Sequence, residues 1–465
     1  MLCINSPTQN LIIISLQAAS GLSLRPNLPD MFASLLTSFL IVTTPVTEVK
    51  DTISSSVVTS SVKREDIISN LPGVSSFLMR GIEERGIASP KNLSAVVPGL
   101  NIPDYGTAMT STIYVRGLGS RMDNPVIGLY VDDVPVLDKN CYDFSFADIR
   151  SLEFQRGPQG TLYGRNSMLG VLSVETLSPS VFQGIRASVE YGSASTVSAK
   201  TSIYKGKLGL VAAYSHSNGF YVNEYDNSRC GLSDAVSLRA VCVGKVGRAT
   251  YDNILTLSYT DQTGYPYRLW LPDEKRLLPV DYNDKSGYKR LTLMDGLRLK
   301  ADLGGWKLSS VTSVQMLFDS MNMDQDFTPK SIFTLNQTQK QFALTQEIIL
   351  RPSVRPDWWD SQTGVFLMAK FNRMSAPVDF LEGGIKSLIL DNANSGIPAD
   401  FGRLDILEDR FRIASDFDIL TGNLAAYHES VFSLGRWRLT AGLRLDYEGG
   451  RMLYDSNSEI HFILA

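Results

Sequence analysis

The run from Trp437 to Tyr447 alternates between apolar and polar side chains without exception. One face of this run would carry Trp437, Leu439, Ala441, Leu443, Leu445 and Tyr447. A period of two predicts a β-strand with one face in an apolar environment. With a length of roughly 33 Å and a tilt of about 40°, the strand would rise about 25 Å, the height of the apolar band on an outer-membrane barrel. Strands of a soluble β-sandwich also alternate, but they average only about 5 or 6 residues.

Weaker alternation fills most of the chain after Arg186. The clearest further runs are Leu208–Tyr214, Ile254–Tyr259, Phe342–Leu350 and Gly364–Ala369. In all we count about ten to twelve strand-like runs. The long polar connections between them fall at Gly264–Gly287, Met321–Gln339 and Ala376–Arg410.

Residues 111–176 differ from the rest, because their short β-branched or aromatic runs are separated by Arg-Gly, Asp-Asp, Gly-Pro-Gln-Gly and Tyr-Gly. Such a composition is typical of strands joined by tight turns. Glycines at the ends of these runs would accept a positive φ at little steric cost. They are Gly117, Gly157, Gly160 and Gly164. No Lys-Ser or Lys-Thr follows them as in a phosphate loop, so nucleotide binding is disfavoured.

The order of these motifs, from the Arg116-Gly117 turn to the run Val171-Leu-Ser-Val-Glu175, resembles the plug domain of TonB-dependent outer-membrane receptors. The resemblance implies a mainly β protein, with a small α+β plug over residues 61–180 and antiparallel transmembrane β-barrel strands over residues 186–465. A helix-like stretch, Val74–Leu100, leads into the plug strands and ends at Pro98-Gly99.

Plugged barrels have about 22 strands, so the runs found here make up roughly half of one. The chain ends in Phe462-Ile-Leu-Ala465, without the terminal aromatic strand that the resemblance implies. An open half barrel would leave two unpaired edges in lipid, where unmet backbone groups are costly. We therefore expect a truncated or split receptor.

Arg116 and Arg156 each close an apolar strand, where a partly buried charge needs a partner. The resemblance implies ion pairs with glutamates on the inner barrel wall, for which Glu347 is the candidate. Pairing inside the plug, with Glu153 or Glu175, is an equally good alternative.

The composition excludes several classes of function. A net charge of −4 and the absence of a basic aromatic cluster give no reason to expect nucleic acid. The three histidines, His216, His428 and His461, lack metal-ligand spacing. No catalytic set can be assembled, so we expect neither an enzyme nor a bound cofactor.

The N-terminus contains two segments that concern export and energy coupling. Residues 1–50 would be a leader in which residues 31–46 resemble the apolar core of a secretory signal, but its basic leading segment is missing. The extended segment 51–60 would suit strand addition to a partner, and the resemblance implies a TonB box there. A flexible tail is the alternative. The candidate TonB-box residues are Asp51, Thr52, Ile53, Val57 and Val58.

Three cysteines, Cys141, Cys230 and Cys242, would remain in the exported part. Cys230 and Cys242 would bridge an external loop or stay free thiols, and the sequence leaves both open.

The function that this resemblance implies is uptake across an outer membrane, energised by a TonB-type coupling protein. Ferric siderophores are the expected ligands; cobalamin, haem and glycans are the alternatives. The aromatic residues near long connections that could stack on a ligand are Tyr265, Tyr267 and Trp270. A nonfunctional fragment and a soluble β-rich binding module remain rival hypotheses, whereas a passive porin would lack the plug motifs.

Overall fold

The computed structural model describes residue 63 and residues 74–110, 112–120, 125–398 and 401–464. The predicted leader, signal segment and TonB box lie outside these residues. The described part is dominated by strands, which fall into a small N-terminal set and a long antiparallel wall.

The N-terminal set lies within the residues predicted to form the plug, and it is called the plug below. Its strands are β1 (Val74–Leu78), β2 (Leu100–Asn101), β3 (Tyr114–Val115), β4 (Leu118–Gly119), β5 (Ile127–Val131), β6 (Val134–Pro135), β7 (Ile149–Arg156) and β8 (Gly170–Thr176). Five of them make one sheet in the order β1-β7-β8-β5-β6, in which only β5 and β8 run parallel. Short helices span Met79–Glu84 and Gly160–Tyr163, and 3₁₀ turns span Pro90–Ala95, Ala108–Thr110 and Lys139–Tyr142.

The plug has its own apolar core. β5 and β7, which flank the central strand β8, contribute Ile127, Leu129, Leu152 and Phe154, all essentially inaccessible to solvent. Leu93 packs on them from the 3₁₀ turn. Because β5 is covered on both faces, its run is continuously apolar rather than alternating. β7 is also buried along most of its length, but it carries the polar residues Ser151, Glu153 and Gln155 between its apolar ones.

The remaining strands form the wall. They are β9 (Gly184–Tyr191), β10 (Val197–Lys205), β11 (Leu208–Ser217), β12 (Tyr221–Val222), β13 (Arg229–Cys230), β14 (Leu232–Val246), β15 (Ala249–Thr263), β16 (Trp270–Leu271), β17 (Arg276–Leu277), β18 (Gly287–Asp302), β19 (Trp306–Asp324), β20 (Phe333–Pro352), β21 (Trp359–Ser375), β22 (Val378–Leu381), β23 (Leu404–Ile406), β24 (Arg410–Ile413), β25 (Asp416–Leu434), β26 (Trp437–Asp455) and β27 (Phe462–Leu464). Helical turns fill Glu382–Gly384, Ile385–Leu390 and Asp391–Ser395.

Eleven long strands of this set pair in the order β9-β10-β11-β14-β15-β18-β19-β20-β21-β25-β26. Short turns join them at one end. The connections at the other end include three long ones, at residues 218–231, 264–286 and 376–415, which carry smaller strands. Within the described residues β9 and β26 do not pair with each other, so the sheet is a partial barrel. The fold class predicted from the sequence is confirmed.

Side chains alternate along the wall strands. On β20, Phe342, Leu344 and Ile348 are exposed on the outer face, while Ala343 and Ile349 are buried on the inner face. On β26, the apolar stripe predicted from Trp437 to Tyr447 is exposed on the outer face. A continuous exposed apolar face is what a lipid-facing barrel surface requires.

Four of the five tryptophans lie at the short-turn end of the wall. They are Trp306, Trp358, Trp359 and Trp437. Trp358 stacks on Phe432 at the adjacent strand end, with 6.3 Å between ring centroids. The placement fits an aromatic girdle at a membrane interface.

Two predictions about local structure are wrong. Val74–Leu78 is a strand rather than the start of a helix, because it pairs antiparallel with β7. The connection predicted at Met321–Gln339 shrinks to residues 325–332, because β19 and β20 continue as polar strands beyond the apolar band. Tertiary pairing overrides local propensity in both places.

Candidate functional site

The plug lies against the inner face of the wall over a wide arc. Tyr130 and Val171 of the plug pack with Val311 of β19, Ile349 of β20 and Tyr427 of β25. On another side, Ala147 and Leu177 of the plug pack with Tyr204, Val211 and Ala213 of β10 and β11. A sheet that touches one small domain from β10 to β25 must curve around it.

The wall donates most of the hydrogen bonds that hold the plug, and many of the acceptors are main-chain oxygens. Arg239 donates to the Ala147 carbonyl oxygen (2.9 Å) and Arg290 to that of Asp143 (2.6 Å). Gln262 and Gln315 donate to the carbonyl oxygens of plug residues Gly106 (2.6 Å) and Pro135 (2.8 Å). These carbonyl oxygens of the plug thereby accept hydrogen bonds from side chains of the wall.

One buried ion pair joins the plug turn at Asp132-Asp133 to the wall. Arg298 of β18 lies 3.3 Å from Asp133 and 3.1 Å from Asp252 of the neighbouring strand. Asp132 and Asp133 have φ of 50° and 67°, so β5 and β6 are joined by a two-residue turn of the hairpin type. The turn directs the Asp133 carboxylate outward onto Arg298.

The two plug arginines singled out from the sequence do not pair with the wall. Arg116 is exposed and has φ of 52°, because Arg116-Gly117 is the two-residue turn of the β3–β4 hairpin. Arg156 is half-buried and donates to Ser75 Oγ (3.0 Å) and the Pro98 carbonyl oxygen (3.4 Å). Among the residues that the structure describes, neither arginine forms an ion pair with a carboxylate, so the predicted arginine–glutamate pairs are wrong.

The predicted glutamates have other partners. Glu153 is buried and accepts a hydrogen bond from Gln155. Glu175 pairs with Arg150 at 2.9 Å inside the plug. Burial raises the pKa of Glu175, and the positive charge of Arg150 offsets part of that rise.

Glu347, on the inner face of β20, does take part in an ion pair with the N-terminal side of the plug, but its partner is Lys63 at 3.1 Å. Tyr427 of β25 donates to the other Glu347 oxygen at 2.7 Å. Lys63 gave no signal in the sequence, because a lone lysine in a polar stretch is usually solvated.

Three of the four predicted turn glycines have positive φ: Gly117 at 81°, Gly157 at 95° and Gly164 at 66°. Gly164 also faces the guanidinium of Arg444, which would lie 2.5 Å from a Cβ at that position. Gly160 starts the helical turn Gly160–Tyr163, without a positive φ and with open space around its Cα.

A cavity of about 800 Å³ lies between the plug and the wall strands β10 to β20. Tyr105 of the plug and Phe220, Tyr221 and Tyr267 of the long connections line its part nearest the long-connection end. Further along the strands it is lined by wall hydroxyls such as Ser237 and Ser258, which hydrogen-bond to each other at 3.1 Å. An aromatic entrance above a hydroxyl-rich lining is suited to a ligand with both flat and polar parts.

The three predicted stacking residues are in different environments. Tyr265 has no exposed surface and packs with Ala108, Tyr288 and Met321, so the prediction that it stacks on a ligand is wrong. Tyr267 lines the cavity, where its ring meets that of Phe327 edge-on at 4.8 Å. Trp270 is half exposed on the β16–β17 hairpin, outside the cavity lining.

The described residues hold no group of three or more His, Cys, Asp or Glu side chains placed to bind a metal ion. Cys141, Cys230 and Cys242 are free thiols. Helices in the same part of the chain are all too short or too polar to span a bilayer.

Comparison with known proteins identifies the plug. Residues 68–171 match the family model described as the TonB-dependent Receptor Plug Domain. A stretch of 129 residues is 37% identical to the pesticin receptor of Yersinia pestis, which is 27% of this chain and 19% of that protein. A stretch of 100 residues is 41% identical to the pesticin receptor of Yersinia enterocolitica, covering 21% of this chain and 15% of that protein.

Solved structures share the fold of the plug and wall together. The ferric yersiniabactin uptake receptor FyuA from Yersinia pestis superposes with a TM-score of 0.67 at 19% identity, over 85% of this chain and 61% of that one. The unliganded ferric citrate transporter FecA gives 0.60 at 13% identity, over 84% and 58% of the two chains. This chain therefore spans about three fifths of the length of these solved receptors.

Proposed function

We propose that this chain, which carries the plug and barrel wall of a TonB-dependent receptor, takes part in energised uptake of a scarce ligand across an outer membrane. The observation that carries the proposal is the plug seated against the inner face of a wall whose outer face is apolar. A plug held in this way would block the lumen of a closed barrel until it moves. The cavity between plug and wall, at the end with the long connections, is the proposed place for the ligand.

Ferric siderophores are the ligand class that we propose. Solved relatives include receptors for ferric yersiniabactin and for ferric citrate, and a pyoverdine receptor from Pseudomonas aeruginosa that superposes with a TM-score of 0.60. The aromatic entrance formed by Tyr105 and Tyr267 suits the planar groups that chelate iron in many such ligands. Cobalamin, haem and glycans are the alternative ligand classes.

The proposed energy source is a TonB-type protein that pairs with residues 51–58. An extended segment beside a folded domain is suited to strand addition, in which main-chain hydrogen bonds provide the affinity. Proline at position 53 would remove one main-chain donor and disturb the pairing, whereas alanine at position 55 would keep every main-chain group.

An uptake experiment tests this proposal. The chain is produced in an iron-starved bacterium that lacks its own siderophore receptors, and the cells are supplied with radiolabelled iron bound to each of several siderophores. We expect iron accumulation that is abolished by Ile53→Pro, by loss of the coupling protein and by a proton uncoupler, and retained by Ser55→Ala. Recovery of the protein in the soluble fraction would favour a soluble binding module, and insertion without accumulation of any ligand would favour a nonfunctional fragment.

A further inference from the structure

Lys63 is the most completely enclosed cation between the described plug and wall. Its side chain is 2% exposed, and that of its partner Glu347 is 4% exposed. The ammonium lies 3.1 Å from Glu347 Oε2 and donates to the Leu162 carbonyl oxygen at 3.0 Å. The rings of Tyr130 and Tyr163 flank it, with centroids at 4.8 Å and 4.6 Å. The carboxylate and the two aromatic faces compensate the positive charge of the lysine, and together with the carbonyl oxygen they fix its position.

These contacts connect three separate parts of the molecule. Glu347 belongs to the wall, and Leu162 belongs to the helical turn Gly160–Tyr163 of the plug. Lys63 itself lies three positions after the end of the extended segment 51–60, which is the predicted site of coupling and is called the coupling segment here. Glu347 lies near the short-turn end of β20, which ends at Pro352. The ammonium thus joins the wall to the plug turn Gly160–Tyr163, from a residue that follows the predicted extended segment closely in the sequence.

The hydrogen bonds inside the plug turn leave one of its carbonyl oxygens to Lys63. Its amides at Tyr163 and Gly164 donate within the turn, to Gln159 (3.0 Å) and Gly160 (2.9 Å). The Leu162 carbonyl oxygen is left for Lys63. Tyr130, whose ring flanks the ammonium, donates from its hydroxyl to the Tyr163 carbonyl oxygen at 3.0 Å. Withdrawal of Lys63 would remove the cation that these groups surround.

We propose that Lys63 is a latch, which fastens the chain behind the coupling segment to the wall and to the plug turn Gly160–Tyr163 at once. Displacement of the chain at residue 63 breaks the pair with Glu347 and releases the turn in the same step. The source of the displacement rests on the proposed function, whereas the latch itself is a property of the resting protein. Lys63 acts as a positioning residue and has no contact with a transported ligand in this scheme.

Breaking one partner of a buried pair is costly because the other charge stays buried. Loss of the latch should therefore open the turn locally rather than unfold the wall. Hydrogen–deuterium exchange of the purified full chain in detergent, read by mass spectrometry, reports this opening without any transported ligand. The exchange measurement therefore tests the latch even if the uptake experiment fails.

The test compares Glu347→Gln and Lys63→Met, singly and together. Each single variant should speed exchange at the amides of Tyr163 and Gly164 by about tenfold, and the double variant should add little to either. Lys63→Arg keeps the charge and should restore part of the protection. If Glu347→Gln does not fold, Tyr427→Phe removes only one hydrogen bond to the carboxylate and should raise the same exchange by about threefold.

Asp133→Asn is the matched control, because it breaks the other buried pair between plug and wall, with Arg298. It should loosen residues 132–134 and leave exchange at Gly160–Gly164 unchanged. Exchange there that stays within about twofold of the parent in Glu347→Gln, or that rises equally in Asp133→Asn, would overturn the latch.

Discussion

Asp132 and Thr176 are joined by two hydrogen bonds across the plug sheet. The Asp132 carboxylate accepts from the Thr176 amide at 2.9 Å and from its hydroxyl at 2.8 Å. The same aspartate is 4% exposed and has φ of 50°, so one residue satisfies the end of β8 and forms the first position of the β5–β6 turn. Aspartate and asparagine are the non-glycine residues that accept this conformation most readily.

Asp132→Ala should therefore destabilise the plug by about 2 to 4 kcal/mol, because it leaves a buried amide without a partner and strains the turn. The urea midpoint of hydrogen exchange at residues 127–136, measured on the full chain, reports the change. Asp132→Asn should cost less, since the amide oxygen still accepts and the turn is tolerated. Equal losses for the two variants would show that the hydrogen bonds do not contribute as described.

Gly164→Ala should cost more than Gly157→Ala. Both positions have positive φ, but a Cβ at residue 157 meets open space whereas a Cβ at residue 164 meets Arg444. The conformational cost is about 1 to 3 kcal/mol at either site, and crowding adds to it only at residue 164.

Arg444→Met isolates the crowding at residue 164. In that background Gly164→Ala should cost about as much as Gly157→Ala, as a double-mutant cycle of urea midpoints would measure. A cost for Gly164→Ala that Arg444→Met leaves unchanged would assign the whole effect to the backbone.

Substitution of a leucine by arginine on the outer face of the wall should lower stability strongly only near the middle of the strands. Leu344 lies in the middle of the apolar part of β20, and Leu434 lies at the short-turn end of β25; both are exposed. In a bilayer, Leu344→Arg should destabilise by about 2 to 4 kcal/mol and Leu434→Arg by about 0 to 1 kcal/mol. Heat-modifiable gel mobility after insertion into vesicles measures the difference. Equally small effects at both positions would indicate a soluble sheet.

Cys141 should resist alkylation at neutral pH. Burial raises the pKa of its thiol to about 12, with a further contribution from the charge of Asp138. Because the thiolate is the reactive form, its iodoacetamide reaction rate should rise about tenfold per pH unit between pH 7 and 10. The control is the same protein in urea, where an ordinary thiol reacts at least about a hundredfold faster at pH 8. Fast reaction of native Cys141 at pH 7 would contradict its burial.

Alternation and turn chemistry made much of the fold predictable. The outward stripe of β26 follows directly from the period of its sequence, and the turns at Gly117, Gly157 and Gly164 follow from glycine's tolerance of positive φ. By contrast, Val74–Leu78 is read as helical from its sequence because the strand that it joins is about 75 residues away. Pairing over such a distance leaves no local signal.

The contacts between plug and wall were less predictable. Arg116 follows an apolar strand, and only the hairpin geometry shows that it projects into solvent. Arg298 and Lys63 have no distinctive sequence context, although each forms a buried pair between plug and wall. Strand register and the orientation of the plug decide which charged side chains form ion pairs. Neither can be read from the spacing of residues in the sequence.

Four hydrogen bonds from the wall end on main-chain oxygens of the plug, at Gly106, Pro135, Asp143 and Ala147. Every amino acid presents the same carbonyl group, so each of these hydrogen bonds depends on where the main chain runs and not on the chemistry of the side chain that stands there. A change that bends the backbone there should therefore disturb the seating more than a change of side-chain polarity, and at Gly106, where φ is 79° and a Cβ would lie 2.8 Å from Pro266, any side chain would force such a bend.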